Sequence, residues 1–304
     1  MAQRHGYVLL IVLMVLAITG AVLAGLCRMS LERALFAQRA QADLQRRWGV
    51  LTCQSVLLPK AEAALSASGT PASEARRDLH LGGQVFSLVF GDEQAKANVN
   101  LLYRDAGLAG AESRVREIAA LSPLRVELRP LADGADASGF GRKPAGGAAA
   151  ADADPPELPR VFEAFGQVFV GARPADLVEA LGTAAPVTAA LTCWGDGSLN
   201  FRRATPEAIR QVCGGYLTSA QISKLLDLRA KDPAADSSTL LDQLKLSEKT
   251  RAVIDDLLVD DSSCRSLWIV SRSAERNWYD LSVSDGSAPD SSPTQSVQPL
   301  LFSW

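Results

Sequence analysis

The chain has 304 residues, with 31 Lys and Arg against 34 Asp and Glu, a net charge of −3 and a pI of about 5.6. No long basic patch is present, which argues against nucleic acid as the main partner, because phosphate binding needs clustered Lys and Arg. The length leaves room for one or two folded domains, and the 47% hydrophobic content reflects an N-terminal apolar run and abundant alanine. Five cysteines, at positions 27, 53, 193, 213 and 264, show no C-x-x-C or other ligand spacing. Cys193–Cys213 is a candidate disulfide; reduced, buried thiols are the alternative, since a chain of this size does not need a bridge.

The first element is Arg4-His5-Gly6-Tyr7 and an apolar run from Val8 to Leu26, interrupted by Thr19, Gly20 and Gly25 and closed by Arg28. About 20 apolar residues at 1.5 Å each cross a ~30 Å hydrocarbon core. That is longer than the apolar core of about 7–15 residues in a cleaved secretory signal. Arg4 marks the side expected to stay cytoplasmic. Beyond Arg28, Leu31, Ala34, Leu35, Gln38, Ala42 and Gln45 recur at helical spacing, and Leu51, Ser55 and Leu58 continue the stripe. Glu32, Arg33, Arg39, Asp43, Arg46 and Arg47 form the polar face. No proline occurs between Tyr7 and Leu58, so one helix of roughly 50 residues, on the order of 75 Å long, is predicted.

A very short basic leader, a glycine, an aromatic residue and an uninterrupted apolar helix together resemble the type IV prepilin signal. The resemblance implies that a membrane peptidase cuts after Gly6 and methylates the new N-terminus, Tyr7. Residues 1–6 are then the leader, 7–27 the transmembrane half of the helix and 28–66 its periplasmic half. An ordinary signal anchor with a coincidental Gly-Tyr is the alternative. One position departs from the family: Ile11 stands where most mature pilins carry glutamate. In the family that carboxylate pairs with a neighbouring subunit's N-terminal amine, and unpaired in lipid it costs several kcal/mol. A subunit that never makes the pair gains from an apolar residue, and the K class of type II secretion pseudopilins (GspK) typically lacks the glutamate.

Pro59 and the Ala/Ser/Gly-rich segment to Ser73 are expected to end the helix. Residues 82–90 alternate and are rich in β-branched and aromatic side chains, which predicts a strand; 91–93 reads as a turn and 97–101 as a short returning strand. Residues 79–104 therefore read as the first strands of a sheet. Asp92 to Leu101 resembles the K-class pattern of an Asp-Glu turn, a Lys and an Asn-x-Asn pair, here Asn98 and Asn100. Their side chains suit hydrogen bonds to backbone that turns into a helix; loop asparagines without a special role are the alternative.

A charged helix is predicted over 107–124, and the Gly/Ala/Pro-rich residues 132–159 read as a flexible insertion. Ala175 to Leu181 is expected to be helical, with Pro174 in its first turn and Gly182 at its end. Thr205 as N-cap, Pro206 at the first helical position, Gly214-Gly215 as the break and Thr218 as the next cap form a helix-hairpin-helix, or SAM-like, unit. With Asn200 and Ala204 it resembles the second such unit of the K class, although Arg202 stands where the second asparagine belongs. Such units also bind DNA, but Arg210 and Lys224 are sparse for that purpose. Leu240 to Leu258 continues helical, and Asp255, Asp256, Asp260 and Asp261 at its end are a candidate calcium site, with a solvated acidic turn as the alternative. Residues 266–272 and 278–283 read as two strands that close the sheet, followed by a loose tail, 286–304.

No G-x-S-x-G, H-E-x-x-H, P-loop or dinucleotide fingerprint is present, and the two histidines, His5 and His80, have no partner in sequence. The expected fold is α+β: a pilin-like long N-terminal helix on a small antiparallel sheet, with a helical insertion over 105–262 and closing strands over 263–285. The resemblance implies a minor pseudopilin at the tip of the pseudopilus, single-pass in the inner membrane with its C-terminal domain in the periplasm. Its implied partners are the I- and J-class minor pseudopilins, other pseudopilus subunits, the inner-membrane assembly platform and the prepilin peptidase. No cofactor is expected beyond the candidate calcium. A minor pilin of a type IV or competence pilus, and an anchored periplasmic binding protein or enzyme, are the alternatives.

Overall fold

The structure, a computed structural model, describes residues 4–67, 72–131, 161–179, 185–273, 277–285 and 298–299. The readings of 132–159 as flexible, of Gly182 as a helix end and of most of the tail lie outside these residues. The chain divides into two compact units, Met1–Leu51 and Thr52–Trp304.

The described residues of the first unit are helix, the N-terminal part of α1 (Arg4–Leu57). Every side chain from Tyr7 to Leu26 is exposed, and an 18-residue window reaches a mean hydropathy of 2.8. Among the described residues this is the helix long and apolar enough to cross a membrane. The one hydroxyl of the apolar run Val8–Leu26 is satisfied within the helix: Thr19 Oγ1 donates back to the carbonyls of Val15 (2.8 Å) and Leu16 (3.1 Å).

The second unit mixes helices with an antiparallel sheet. Pro59 does not end helical structure outright. It sits near the start of a 3₁₀ turn, Leu58–Lys60, where its missing N–H costs nothing, and helix resumes as α2 (Ala61–Ser66). Strand β1 (Glu74–Leu81) follows, then β2 (Gln84–Asp92). The hairpin therefore precedes the predicted strand rather than following it. Its turn is Gly82-Gly83, both at positive φ (60° and 78°), which is the backbone a two-residue hairpin loop requires. The expected returning strand over 97–101 is only β3 (Ala97–Asn98), because Asn98 caps a helix that starts at Val99.

That helix, α3 (Val99–Ile118), is broken at Gly107 (φ 66°, ψ −177°), so the charged helix predicted over 107–124 is its second segment. Then come α4 (Pro174–Val178), β4 (Leu191–Thr192), β5 (Leu199–Asn200), α5 (Pro206–Cys213) and α6 (Ser219–Lys231). The helix expected over 240–258 is two, α7 (Ser237–Asp242) and α8 (Glu248–Leu257), parted around Lys245 at φ 52°. After β6 (Leu258–Val259) the strands β7 (Cys264–Arg272) and β8 (Asn277–Asp285) form as read, and β9 (Gln298–Pro299) pairs with Ser282 and Val283. The tail thus contributes one short edge strand where none was expected.

The main sheet runs in the order β1-β2-β7-β8-β9. Strands β2 and β7 are neighbours, paired from Phe86↔Ser271 to Asp92↔Arg265, so all of residues 93–263 is inserted between two adjacent strands. The centre of the sheet, along β2 and β7, is buried on both faces. Val89, Trp268, Val270, Leu281 and Val283 join one apolar cluster with the insertion. Alternation puts Phe86, Leu88, Phe90, Leu267 and Ile269 on the other face, all buried. That face is covered by α2, which packs on β1, β2 and β7 through buried Ala61 and Leu65.

Candidate functional site

Where β2 leaves the sheet, the chain buries a knot of polar and charged side chains. Asp92, Glu93, Gln94, Lys96, Asn98 and Asn100 are each at most 3% exposed. Lys96 Nζ lies 2.6 Å from Glu93 Oε1 and 3.6 Å from Glu74 Oε1. Glu93 also accepts from Thr192 Oγ1 and Ser266 Oγ, each at 2.5 Å. Burial alone would lower the Lys96 pKa, but Glu93 and Glu74 beside it outweigh that and hold it above the ordinary lysine value. Burial raises Glu74, despite Lys96 and Arg76. A side chain at position 91 would break this arrangement: a Cβ on Gly91 would lie 2.5 Å from Ser266 Oγ and 2.8 Å from both Glu93 Oε1 and Lys96 Nζ.

A second set of charges joins α2, β2, β7 and the insertion. Glu62 meets Arg203 (Nη2, 2.5 Å) and Arg265 (Nη2, 3.1 Å), and Arg203 also reaches Asp92 at 3.4 Å. The Arg203 hydrogen bond outweighs partial burial and holds Glu62 at about 2. Asp92 moves the other way: burial raises it, although Ser262 and Arg203 act against that. Neither set was foreseen. Its one sequence signal is the dense Asp-Glu-Gln-Ala-Lys run between apolar stretches, and the partners lie far away in the chain.

The predicted capping residues are all engaged, though not all as caps of their own helices. Asn98 caps α3, its Oδ1 accepting from the N–H of Asn100 (2.8 Å) and Leu101 (3.4 Å), while Nδ2 donates to the Trp194 carbonyl at 2.9 Å. Asn100 instead ties distant backbone together. Its Oδ1 accepts from Val161 and Phe162 N–H at 2.9 and 2.8 Å, and Nδ2 donates to the carbonyls of Phe162 (3.0 Å) and Cys193 (2.9 Å). Asn200 accepts from Arg202 and Arg203 N–H and donates to Asp92 Oδ2 (3.0 Å) and Ser262 Oγ (2.8 Å). Thr205 caps α5 through Ala208 N–H at 3.1 Å, with Pro206 next, and Thr218 caps α6 in a capping box with Gln221.

Beside the Gly214-Gly215 hairpin, Arg210 pairs with Glu207 at 2.8 Å and Lys224 donates to the Gln243 carbonyl at 2.7 Å. Both basic residues there are thus committed within the chain. Two members of the acidic cluster have partners of their own. Asp255 pairs with Arg251 at 3.1 Å, and Asp260 accepts from the backbone and hydroxyl of Ser237 at the start of α7. Among the described residues no group of three or more His, Cys, Asp or Glu is placed to hold a metal.

Cys193 and Cys213 are separate, reduced and buried, so the candidate disulfide does not form. Burial pushes the Cys213 thiol up to about 12 and raises Cys193 as well, so neither offers a thiolate near neutrality. His80 lies on an exposed part of β1. Ile11 is 45% exposed in the apolar run of α1, and Tyr7 follows Gly6 there without a break in the helix. The chain matches no protein-family model and no curated protein sequence.

Proposed function

We propose that this chain is a minor pseudopilin of type II secretion, similar to the K class (GspK), with a pilin-like fold. The observation that carries the reading is the insertion of residues 93–263 between neighbouring strands β2 and β7 of a sheet whose other face is covered by α2. In chain order the molecule has the parts such a subunit needs: a glycine-terminated basic leader, an apolar helix, a small antiparallel sheet and a large helical insertion carrying a helix-hairpin-helix unit. The chain spans the inner membrane once, with residues after the apolar run in the periplasm. Prepilin peptidase cuts after Gly6 and methylates Tyr7.

The role is mechanical and not enzymatic. The subunit joins its I- and J-class relatives at the tip of the pseudopilus on the inner-membrane assembly platform, and its insertion occupies the surface on which a further subunit would stack. Ile11 supports a first position in the filament: the carboxylate that a following subunit uses to pair with the amine of the one before it is replaced by an apolar side chain, which spares the cost of an unpaired charge in lipid.

The test is N-terminal sequencing of the full chain after co-expression with a prepilin peptidase. The expected mature protein begins at methylated Tyr7. One that begins at Met1, or is cut beyond residue 20, overturns the reading. Affinity capture against secretion and pilus minor subunits then separates type II secretion from a true type IV or competence pilus.

A further inference from the structure

The first unit carries a charge that the proposed function leaves unused. Arg33 is exposed and has no hydrogen-bond or ion-pair partner among the described residues. Its neighbours are occupied: Arg28 pairs with Glu32 at 2.9 Å, and Arg47 pairs with Asp43 at 2.9 Å. Arg33 shares a shallow, open groove on one face of α1 with Met29, Glu32 and Phe36. Phe36 is 76% and Met29 50% exposed, so the groove offers one uncompensated cation between two apolar side chains.

We propose that this groove docks the phosphate headgroup of one anionic phospholipid, at the bilayer surface where the apolar run ends. Depth supports this. With Val8 to Leu26 filling a ~30 Å core, the Arg33 Cα stands about 10 Å beyond Leu26 at 1.5 Å per residue. Side chains on a helix lean toward its N-terminus, which brings the long Arg33 side chain, and with it the guanidinium, back into the headgroup layer. A guanidinium fork takes two phosphate oxygens at once. Met29, three residues beyond Leu26, lies along the glycerol and the first methylenes.

The contact rests only on α1 spanning a bilayer; the leaflet rests on the orientation proposed above. In that orientation Arg28 and Arg33 lie on the translocated flank, against the usual excess of basic residues on the cytoplasmic side. An anionic headgroup offsets that charge.

The full chain is extracted into mild detergent with equal amounts of phosphatidylglycerol and phosphatidylcholine, and retained lipid is counted by native mass spectrometry. The wild type is expected to keep one phosphatidylglycerol in preference to phosphatidylcholine by about fivefold, the size of effect of one basic residue at an anionic surface. Arg33→Ala, which removes no contact within the fold, loses the preference, and Arg33→Lys keeps part of it. Equal retention of the two lipids by the wild type, or an unchanged preference in Arg33→Ala, overturns the proposal. So does an Arg33-dependent dimer in place of bound lipid, which assigns the groove to a neighbouring helix. N-terminal sequencing of the same sample reports prepilin processing separately, so a chain that is not cut after Gly6 yet keeps the lipid preference sinks the pseudopilin reading and leaves the lipid contact standing.

Discussion

The insertion contains two corners built on the same plan, one around Asn98 and one around Asn200. Each asparagine ends a two-residue strand in a parallel pair, β3 with β4 and β5 with β6. Each turns its Oδ1 onto the N–H groups two and three residues ahead, and each is almost fully buried. They differ in what the residue two places on does. At the first corner Asn100 is buried and binds only backbone. At the second Arg202 is partly exposed and reaches Asp236 at 2.6 Å, while Arg203 beside it joins Asp92 and Glu62. The lesson is that a neutral amide can hold a buried corner without counter-charges, whereas an arginine at the same position turns outward and recruits carboxylates.

The largest test of this contrast is Asn100→Ala. It strips four backbone groups of their partners, each worth about 1–3 kcal/mol when left buried and unpaired, so a loss of about 3–5 kcal/mol is expected, with some relief from entering water. Urea unfolding of the detergent-solubilised full chain, followed by tryptophan fluorescence, measures it. A loss under about 1 kcal/mol would mean that the amide fills space and nothing more.

The second test uses pH. The Glu62 pKa is depressed to about 2, so its contribution is present above its unfolded value of about 4.3 and is lost as pH falls toward 2. Asp92 and Glu74, raised by burial, run the other way: their contribution is present below their unfolded values and is lost as pH rises through their folded ones. Comparing Glu62→Gln with the wild type isolates the first effect. The variant is expected to be less stable at pH 7 by about 1 kcal/mol, after discounting for a side chain that is 46% exposed, and the gap closes toward pH 2. A gap that does not change with pH would assign Glu62 a packing role only.

The smallest effect is expected from Arg202→Asn, which makes the second corner spell like the first. Its ion pairs lie near the surface, so a change within about 0.5 kcal/mol is expected from the same unfolding curves. A loss above about 2 kcal/mol would show that the arginine is as integral to its corner as Asn100 is to its own.

How much of this could be read in the chain depended on how local the cause is. Helix α1 follows from composition alone. The unit of α5 and α6 follows from Thr205-Pro206, Gly214-Gly215 and Thr218, because caps and breaks act within a few residues. Strands β7 and β8 alternate clearly. Strand β1 escaped because Glu74-Ala-Arg-Arg-Asp-Leu-His-Leu is largely charged, as suits an edge, and that moved the hairpin to the wrong side of β2. The break at Lys245 has no glycine to announce it. Asn100 was expected to cap its own turn, but its partners are Val161, Phe162 and Cys193, and the pairing of Glu62 with Arg203 and Arg265 is equally remote. No spacing rule reaches that far. In the acidic run from Asp255 to Asp261, Asp255 pairs within its own helix with Arg251, while Asp260 meets Ser237, a partner that spacing does not announce.

The adjacency of β2 and β7 also sets an order of events. Strand β2 leaves the ribosome long before its neighbour, with all of residues 93–263 still to follow, so the sheet cannot close until the insertion has emerged. Pairings this distant carry a large loop-closure cost and slow folding. Prior folding of the insertion shortens the effective loop and brings Asp92 and Arg265 together. The helical part then acts as the chaperone of its own sheet, and for that interval the exposed strand β2, with Phe86, Leu88 and Phe90, is the segment most open to aggregation.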